Sequence, residues 1–177
     1  MNKISRIKQN KAIRQGFTLV ELVIYMTILG SMITVLTSFV VLTYESKIKS
    51  QVVAEVEQSG SQVMDIILQT TRNATLINTP LAQASGSSLS INTISGITTP
   101  TVFDLNNSKI RIKEGTGVAT NLVGNRLLVN SLSFSNLTEA GASGTIRVQF
   151  TLTYNNSSGM KEYDYSKTFY GTASLRP

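Results

Sequence analysis

A long apolar stretch near the N-terminus limits what this chain can fold into more than any other feature of its sequence. Residues 17 to 44 contain one group that is charged at neutral pH, the carboxylate of Glu21. A helix of this length would span roughly 42 Å, at about 1.5 Å of rise per residue, whereas the hydrocarbon core of a bilayer is about 30 Å thick. The stretch is therefore predicted to be a membrane-spanning helix.

The residues before the stretch form a basic leader. Residues 1 to 16 carry five Lys or Arg side chains and no acidic one. A basic flank beside an apolar helix stays on the cytoplasmic side, so the rest of the chain is predicted to be extracytoplasmic. The leader also accounts for most of the net charge of +6, because the residues after it contain 11 basic and 10 acidic groups. The basic composition is thus weak support for nucleic-acid binding.

Two ordinary kinds of segment share some of these properties. A secretory signal peptide has a shorter apolar core and ends in a small-residue cleavage site, which this stretch lacks. A plain signal anchor has the right length but does not account for Glu21, because a carboxylate inside an apolar helix is costly and normally has a partner. Glu21 could also lie at the headgroup level, where the helix dipole favours an anion. If the chain were cut between Gly16 and Phe17, the new amino group could pair with Glu21 of a neighbouring subunit.

The junction resembles the processing motif of the type IV pilin and pseudopilin superfamily. That motif is a Gly, then a Phe or Met, then a short hydrophobic run with Glu as the fifth mature residue, and Gly16, Phe17 and Glu21 match it. The resemblance implies that prepilin peptidase cuts after Gly16 and methylates the amino group of Phe17. It implies a single-pass protein of the cytoplasmic (inner) membrane with its N-terminus in the cytoplasm. An inner-membrane assembly platform would then move it into an extracytoplasmic filament, in which Phe17 and Glu21 contact other pilin or pseudopilin subunits.

Four segments are expected along the chain. They are the leader (1–16), the apolar helix (17–44), an amphipathic continuation of that helix (45–78) and a β-rich extracytoplasmic domain (79–177). The helix is expected to end between residues 73 and 78, because Pro80 disfavours helical geometry in the residue before it. The apolar stripe of the amphipathic half is predicted to contain Val52, Val56, Val63, Ile67, Ala74 and Ile77.

Alternating apolar and polar residues predict strands in the last segment. They fall near residues 89–94, 109–113, 128–134, 146–154 and 162–175. Residues 123–126 and 155–159 are predicted to form hairpin turns. The chain is thus expected to be an α+β protein of the pilin type. Its long N-terminal helix would pack on one C-terminal antiparallel sheet of about four to six strands, in which the run ending at residue 175 pairs with 145–154.

The residue types that carry most catalysis are missing. The chain has no His and no Cys, so the commonest general base, nucleophile and metal ligands are absent, and no disulfide can form. Glu162 and Asp164 would share one face of a predicted strand, but so do ordinary solvent-facing carboxylates. We therefore expect no enzyme, no cofactor and no metal site.

Three cations alternate along one predicted strand. Lys109, Arg111 and Lys113 would share a face and could follow a phosphate backbone, which makes them the candidates for contact with DNA. The ordinary interpretation is that they form the solvent side of a half-buried strand and protect a sheet edge from mispairing.

A looser resemblance concerns the role of the subunit. The segment 64–77, with Arg72, Asn73 and Ala74, and the residues 173–176 are similar to minor pilins and to the J-type minor pseudopilin of type II secretion. This favours a minor structural subunit over a major pilin. The other functions kept open are a filament-tip module that binds DNA, a surface or a secreted substrate, and a membrane-tethered enzyme.

Overall fold

The structure is a computed structural model and describes residues 16–176; the rest of the predicted leader, residues 1–15, lies outside the described residues. Within the described residues a single α-helix, α1, runs from Leu19 to Arg72. Nine strands follow it: β1 Ala74–Thr79, β2 Ser85–Gly86, β3 Leu89–Thr93, β4 Thr101–Asn106, β5 Lys109–Glu114, β6 Thr120–Asn121, β7 Leu127–Asn136, β8 Thr145–Tyr154 and β9 Ser166–Ser174. A short 3-10 helix covers Lys161–Tyr163. The α+β class predicted from the sequence is confirmed.

The strands form two antiparallel sheets, not the single sheet that was predicted. The first has five strands in the order β1-β3-β4-β5-β6, and the second has four in the order β2-β7-β8-β9. The predicted pairing of the last strand is confirmed, because Thr145 lies opposite Ser174 and Thr153 opposite Ser166. The predicted hairpin at residues 123–126 is wrong, since this turn joins β6 of the first sheet to β7 of the second.

The helix ends earlier than predicted. Its last residue is Arg72, and the chain enters β1 two residues later. Ala74 and Ile77, which were predicted to continue the helical stripe, lie on β1 opposite Thr93 and Ile91. Pairing with β3 provides a sheet ladder for these backbone groups, and this long-range pairing decides their conformation rather than Pro80.

The chain divides into two compact units, one ending at Tyr44 and the other beginning at Glu45. In the second unit, the final part of α1 packs on the sheets through one apolar stripe. Val56, Val63 and Ile67 are buried there, as predicted, in one core with Phe103 of the first sheet and Phe150 of the second. Burial of such side chains stabilises the folded chain by about 1.5 to 3 kcal/mol each.

Hydrogen bonds connect the two sheets. The Val129 amide of β7 donates to Ser108 O, in the turn between β4 and β5, at 2.9 Å. The Asn136 amide, by contrast, donates to Ala84 O at 2.9 Å within the second sheet, where Ala84 precedes β2. The buried side chain of Asn136 donates to Pro80 O at 2.8 Å, which ties the end of β7 to the turn after β1.

Candidate processing and assembly segment

The first helical turn begins immediately after the predicted processing site. Gly16, Phe17 and Thr18 precede α1 and are exposed. The Glu21 amide donates to Thr18 Oγ1 at 3.3 Å, so Thr18 satisfies one of the free amides at the helix N-terminus. The Gly16–Phe17 peptide bond therefore lies before the first helical turn.

Three side chains near this terminus are in contact with one another. The Tyr25 hydroxyl donates to Glu21 Oε1 at 2.7 Å. The rings of Phe17 and Tyr25 meet edge to face, with centroids 6.3 Å apart and an interplanar angle of 75°. Glu21 is half-buried, whereas every other residue from 16 to 44 is exposed. Sequence reasoning missed Tyr25, although its spacing of four residues from Glu21 places both side chains on one helix face.

The hydroxyl groups of the apolar helix are satisfied within the helix itself. Thr27, Ser31, Thr34, Thr37, Ser38 and Thr43 each donate to a carbonyl three or four residues earlier. Such bonds are the arrangement that a low-dielectric surrounding requires, because an unpaired polar group there costs several kcal/mol. Among the described residues, α1 is the one helix that is long and apolar enough to cross a membrane.

The predicted basic strand is β5, and two of its three cations are used within the protein. The Lys109 ammonium donates to Gly124 O at 2.5 Å and to Leu127 O, and burial lowers its pKa. Arg111 forms a salt bridge with Asp104 at 2.6 Å, and hydrogen bonding to this carboxylate raises the guanidinium pKa. Lys113 is exposed. Contact of this strand with DNA stays a prediction.

A second exposed surface lies at one end of the five-stranded sheet. The loop after β3 and the loop after β5 are joined there, because the Gly115 amide donates to Pro100 O at 3.0 Å. Hydroxyl bonds hold the first loop, including one of 2.6 Å between Thr93 and Thr98. Ile97 and Val118 are nevertheless 89% and 90% exposed. These ordered loops thus present aliphatic side chains to solvent.

In the described part of the chain, the acidic side chains predicted to share a strand face lie elsewhere. Glu162 lies in the 3-10 helix and Asp164 just after it, so the prediction that both share a strand face is wrong. Within residues 16–176 there is no group of three or more His, Cys, Asp or Glu side chains that could hold a metal ion.

The comparison with known families concerns the N-terminal part of the chain. Residues 11–37 match the family described as the prokaryotic N-terminal methylation motif. No match to the chain was found among curated proteins or among solved structures. The match covers 27 of the 177 residues and supports a prepilin-type N-terminal segment, and prepilin peptidase and other pilin subunits are the partners that such a motif implies. Together with the apolar helix, it is consistent with membrane anchoring.

Proposed function

We propose that this protein is a structural subunit of a type IV pilus or of a type II secretion-like pseudopilus. Prepilin peptidase would cut between Gly16 and Phe17 and methylate the Phe17 amine. The mature chain would stay in the cytoplasmic membrane until an assembly platform packs it into a filament through its apolar helix. The match of residues 11–37 to the methylation motif is the observation that carries this proposal.

The exposure of the apolar helix supports the proposal. Residues 19–44 are exposed apart from Glu21. A continuous apolar surface of this size requires lipid or other protein around it. Lipid would provide this cover during storage, and the helices of neighbouring subunits would provide it in the filament.

Glu21 would set the axial position of each subunit. Its carboxylate lies in the first helical turn of an otherwise uncharged stretch. The amine of Phe17 on a neighbouring, axially shifted subunit would be its partner. A buried charge without a partner is strongly unfavourable, so only assembly positions that bring the two groups together would be populated.

We further propose a minor role, on the similarity of segments 64–77 and 173–176 to minor components. A second candidate function is a binding module at the filament tip. The exposed Ile97 and Val118, on the two loops joined by the bond from the Gly115 amide to Pro100 O, would be its contact residues.

The test is quantitative peptide mass spectrometry on sheared filaments and on the membranes that remain. It measures both the abundance of the chain and its N-terminal peptide. A methylated N-terminus at Phe17 in trace amounts beside a dominant pilin would support the minor subunit, and the same terminus as the dominant species would make this chain the major pilin. Retention in the membrane with residues 1–16 attached would contradict the proposal and favour a plain anchor.

A further inference from the structure

The hydroxyl of Tyr25 donates to Glu21 within the same chain, and this bond has a consequence for assembly. We infer that Tyr25 is a positioning residue for Glu21. The Tyr25 hydroxyl holds one oxygen of the Glu21 carboxylate before and during assembly, while the other oxygen stays free for the neighbouring subunit's amine. The inference rests on the proposed function for its assembly role. The contact itself depends on residues 17–25 alone.

Glu21 differs from its neighbours in burial and in its contacts. Every residue from 16 to 44 is exposed except this one. Tyr25 lies one turn further along the helix, and its hydroxyl reaches Oε1 at 2.7 Å. A Phe or Leu at position 25 could not donate this hydrogen bond.

A donor within the same chain gives the Glu21 carboxylate a hydrogen-bond partner while no neighbouring subunit is present. The carboxylate must remain in or near the apolar layer while the subunit waits in the membrane, and polar groups there need a partner. Tyr25 supplies a neutral donor, which lowers the cost of the carboxylate without consuming both of its oxygens. An ammonium partner from the same chain would instead compete with the amine of the next subunit.

The same ring also contacts Phe17. Its edge-to-face contact, with centroids 6.3 Å apart, holds the residue whose nitrogen becomes the new N-terminus. Tyr25 therefore restrains both groups that are proposed to pair between subunits, the acceptor through its hydroxyl and the donor residue through its ring.

The contact is tested first on the full chain in micelles. Glutamate carboxyl carbons are labelled with ¹³C, and the Glu21→Gln variant identifies the Glu21 resonance. We expect Tyr25→Phe to move this resonance, while Tyr44→Phe, the same change at an exposed tyrosine at the other end of the stretch, leaves it in place. An unchanged resonance in Tyr25→Phe would overturn the inference whatever the filament does.

The assembly role is tested by a double-mutant cycle. Each variant is expressed beside the wild-type chain, and its ratio in filaments to membranes is measured by peptide mass spectrometry. We expect Tyr25→Phe to lower this ratio about threefold, the effect typical of one side-chain hydrogen bond in a membrane. In a Glu21→Ala chain the same change should have no effect, because the acceptor is gone.

The outcomes separate the inference from the proposed function. An equal loss in both backgrounds, or no loss in either, would overturn the positioning role. A chain that never enters filaments would overturn the proposed function and the assembly role with it, while a shifted Glu21 resonance would still establish the contact. Tyr44→Phe serves as the control in both backgrounds and should leave the ratio unchanged.

Discussion

Gly60 of α1 lies directly against the ring of Phe169 on β9. A Cβ atom placed on Gly60 would be 2.0 Å from Cζ and 2.2 Å from Cε2 of that ring. Gly60 is buried in the middle of a long helix, where a glycine costs about 1 kcal/mol relative to alanine. The close approach of the ring explains why a helix-weakening residue occupies this position.

We predict that Gly60→Ala destabilises the protein despite its better helix propensity. Overpacking against a ring costs about 1 to 3 kcal/mol and the propensity gain is about 1 kcal/mol, so the net loss in the free energy of unfolding should be up to about 2 kcal/mol. Thermal unfolding of the full chain in micelles, followed by near-UV circular dichroism, measures it. Gly30→Ala is the matched control, because a Cβ there meets nothing within 4 Å. Equal stability of both variants would contradict the packing explanation.

A carboxylate on the same helix predicts how stability depends on pH. Glu57 Oε1 accepts from Lys167 Nζ at 2.6 Å and from the Tyr165 hydroxyl at 3.1 Å. Both bonds, that from Lys167 first, lower the Glu57 pKa from its ordinary value of 4.5. A lowered folded-state pKa adds stability above pH 4.5, and this stability is lost as the pH falls through the lower folded-state value.

We therefore predict that Glu57→Gln lowers the unfolding temperature at pH 7 and that the difference from wild type shrinks below pH 4.5. The effect should be modest and weakened by salt, because both side chains of the Lys167 pair are about 40% exposed. Thermal unfolding of wild type and Glu57→Gln from pH 2.5 to 7 measures this difference in unfolding temperature. Glu139→Gln, a change at an exposed residue, is the control. A constant difference across this range would show that the substitution acts through packing and not through the charge.

The long helix could be predicted from the sequence more completely than the sheets that follow it. The helix and its buried stripe at Val56, Val63 and Ile67 follow from a local period, so the sequence was sufficient for them. The end of the helix was misplaced because Ala74 keeps the helical spacing while its ladder partner, Thr93, lies far away in sequence. The division into two sheets depends likewise on which strands pair, and no local pattern contains that information.

The same contrast holds for the candidate site. Gly16, Phe17 and Glu21 were selected by their type and spacing, and the structure adds the contacts around them. Tyr25 was passed over because a tyrosine in an apolar helix is unremarkable by composition, and only its hydrogen bond to Glu21 distinguishes it.

The basic strand gives a prediction that separates structure from DNA binding. Lys109→Gln should lower the unfolding temperature, because the Lys109 ammonium bonds two carbonyls outside its own strand. Lys113→Gln should leave the unfolding temperature unchanged, since Lys113 is exposed. If this strand contacts DNA, Lys113→Gln should weaken binding to duplex DNA in a filter-binding assay and reduce its salt dependence. Unaltered binding in that variant would remove the strand from consideration as a DNA contact.

Processing is tested at Gly16. A Cβ at this position would meet nothing within 4 Å, so a substitution should leave the fold intact. We predict that Gly16→Leu blocks cleavage and leaves residues 1–16 attached, because the motif requires glycine before the cut. Mass spectrometry of the N-terminal peptide in membranes measures this. A Phe17 terminus at the wild-type level in Gly16→Leu would contradict the assignment of the cleavage site.

Assembly is tested at Glu21, where targeting and subunit pairing can be separated. We predict that Glu21→Ala still inserts and is cleaved, because removal of a carboxylate makes the helix more apolar and leaves Gly16 and Phe17 unchanged. It should enter filaments poorly, since the Phe17 amine of the neighbouring subunit would then be buried without a partner, which is strongly unfavourable. The comparison is the amount of chain with a Phe17 terminus in membranes and in sheared filaments. Glu21→Asp, which retains the charge on a shorter side chain, should assemble better than Glu21→Ala, and normal incorporation of the alanine variant would show that the carboxylate does not set the position of the subunit.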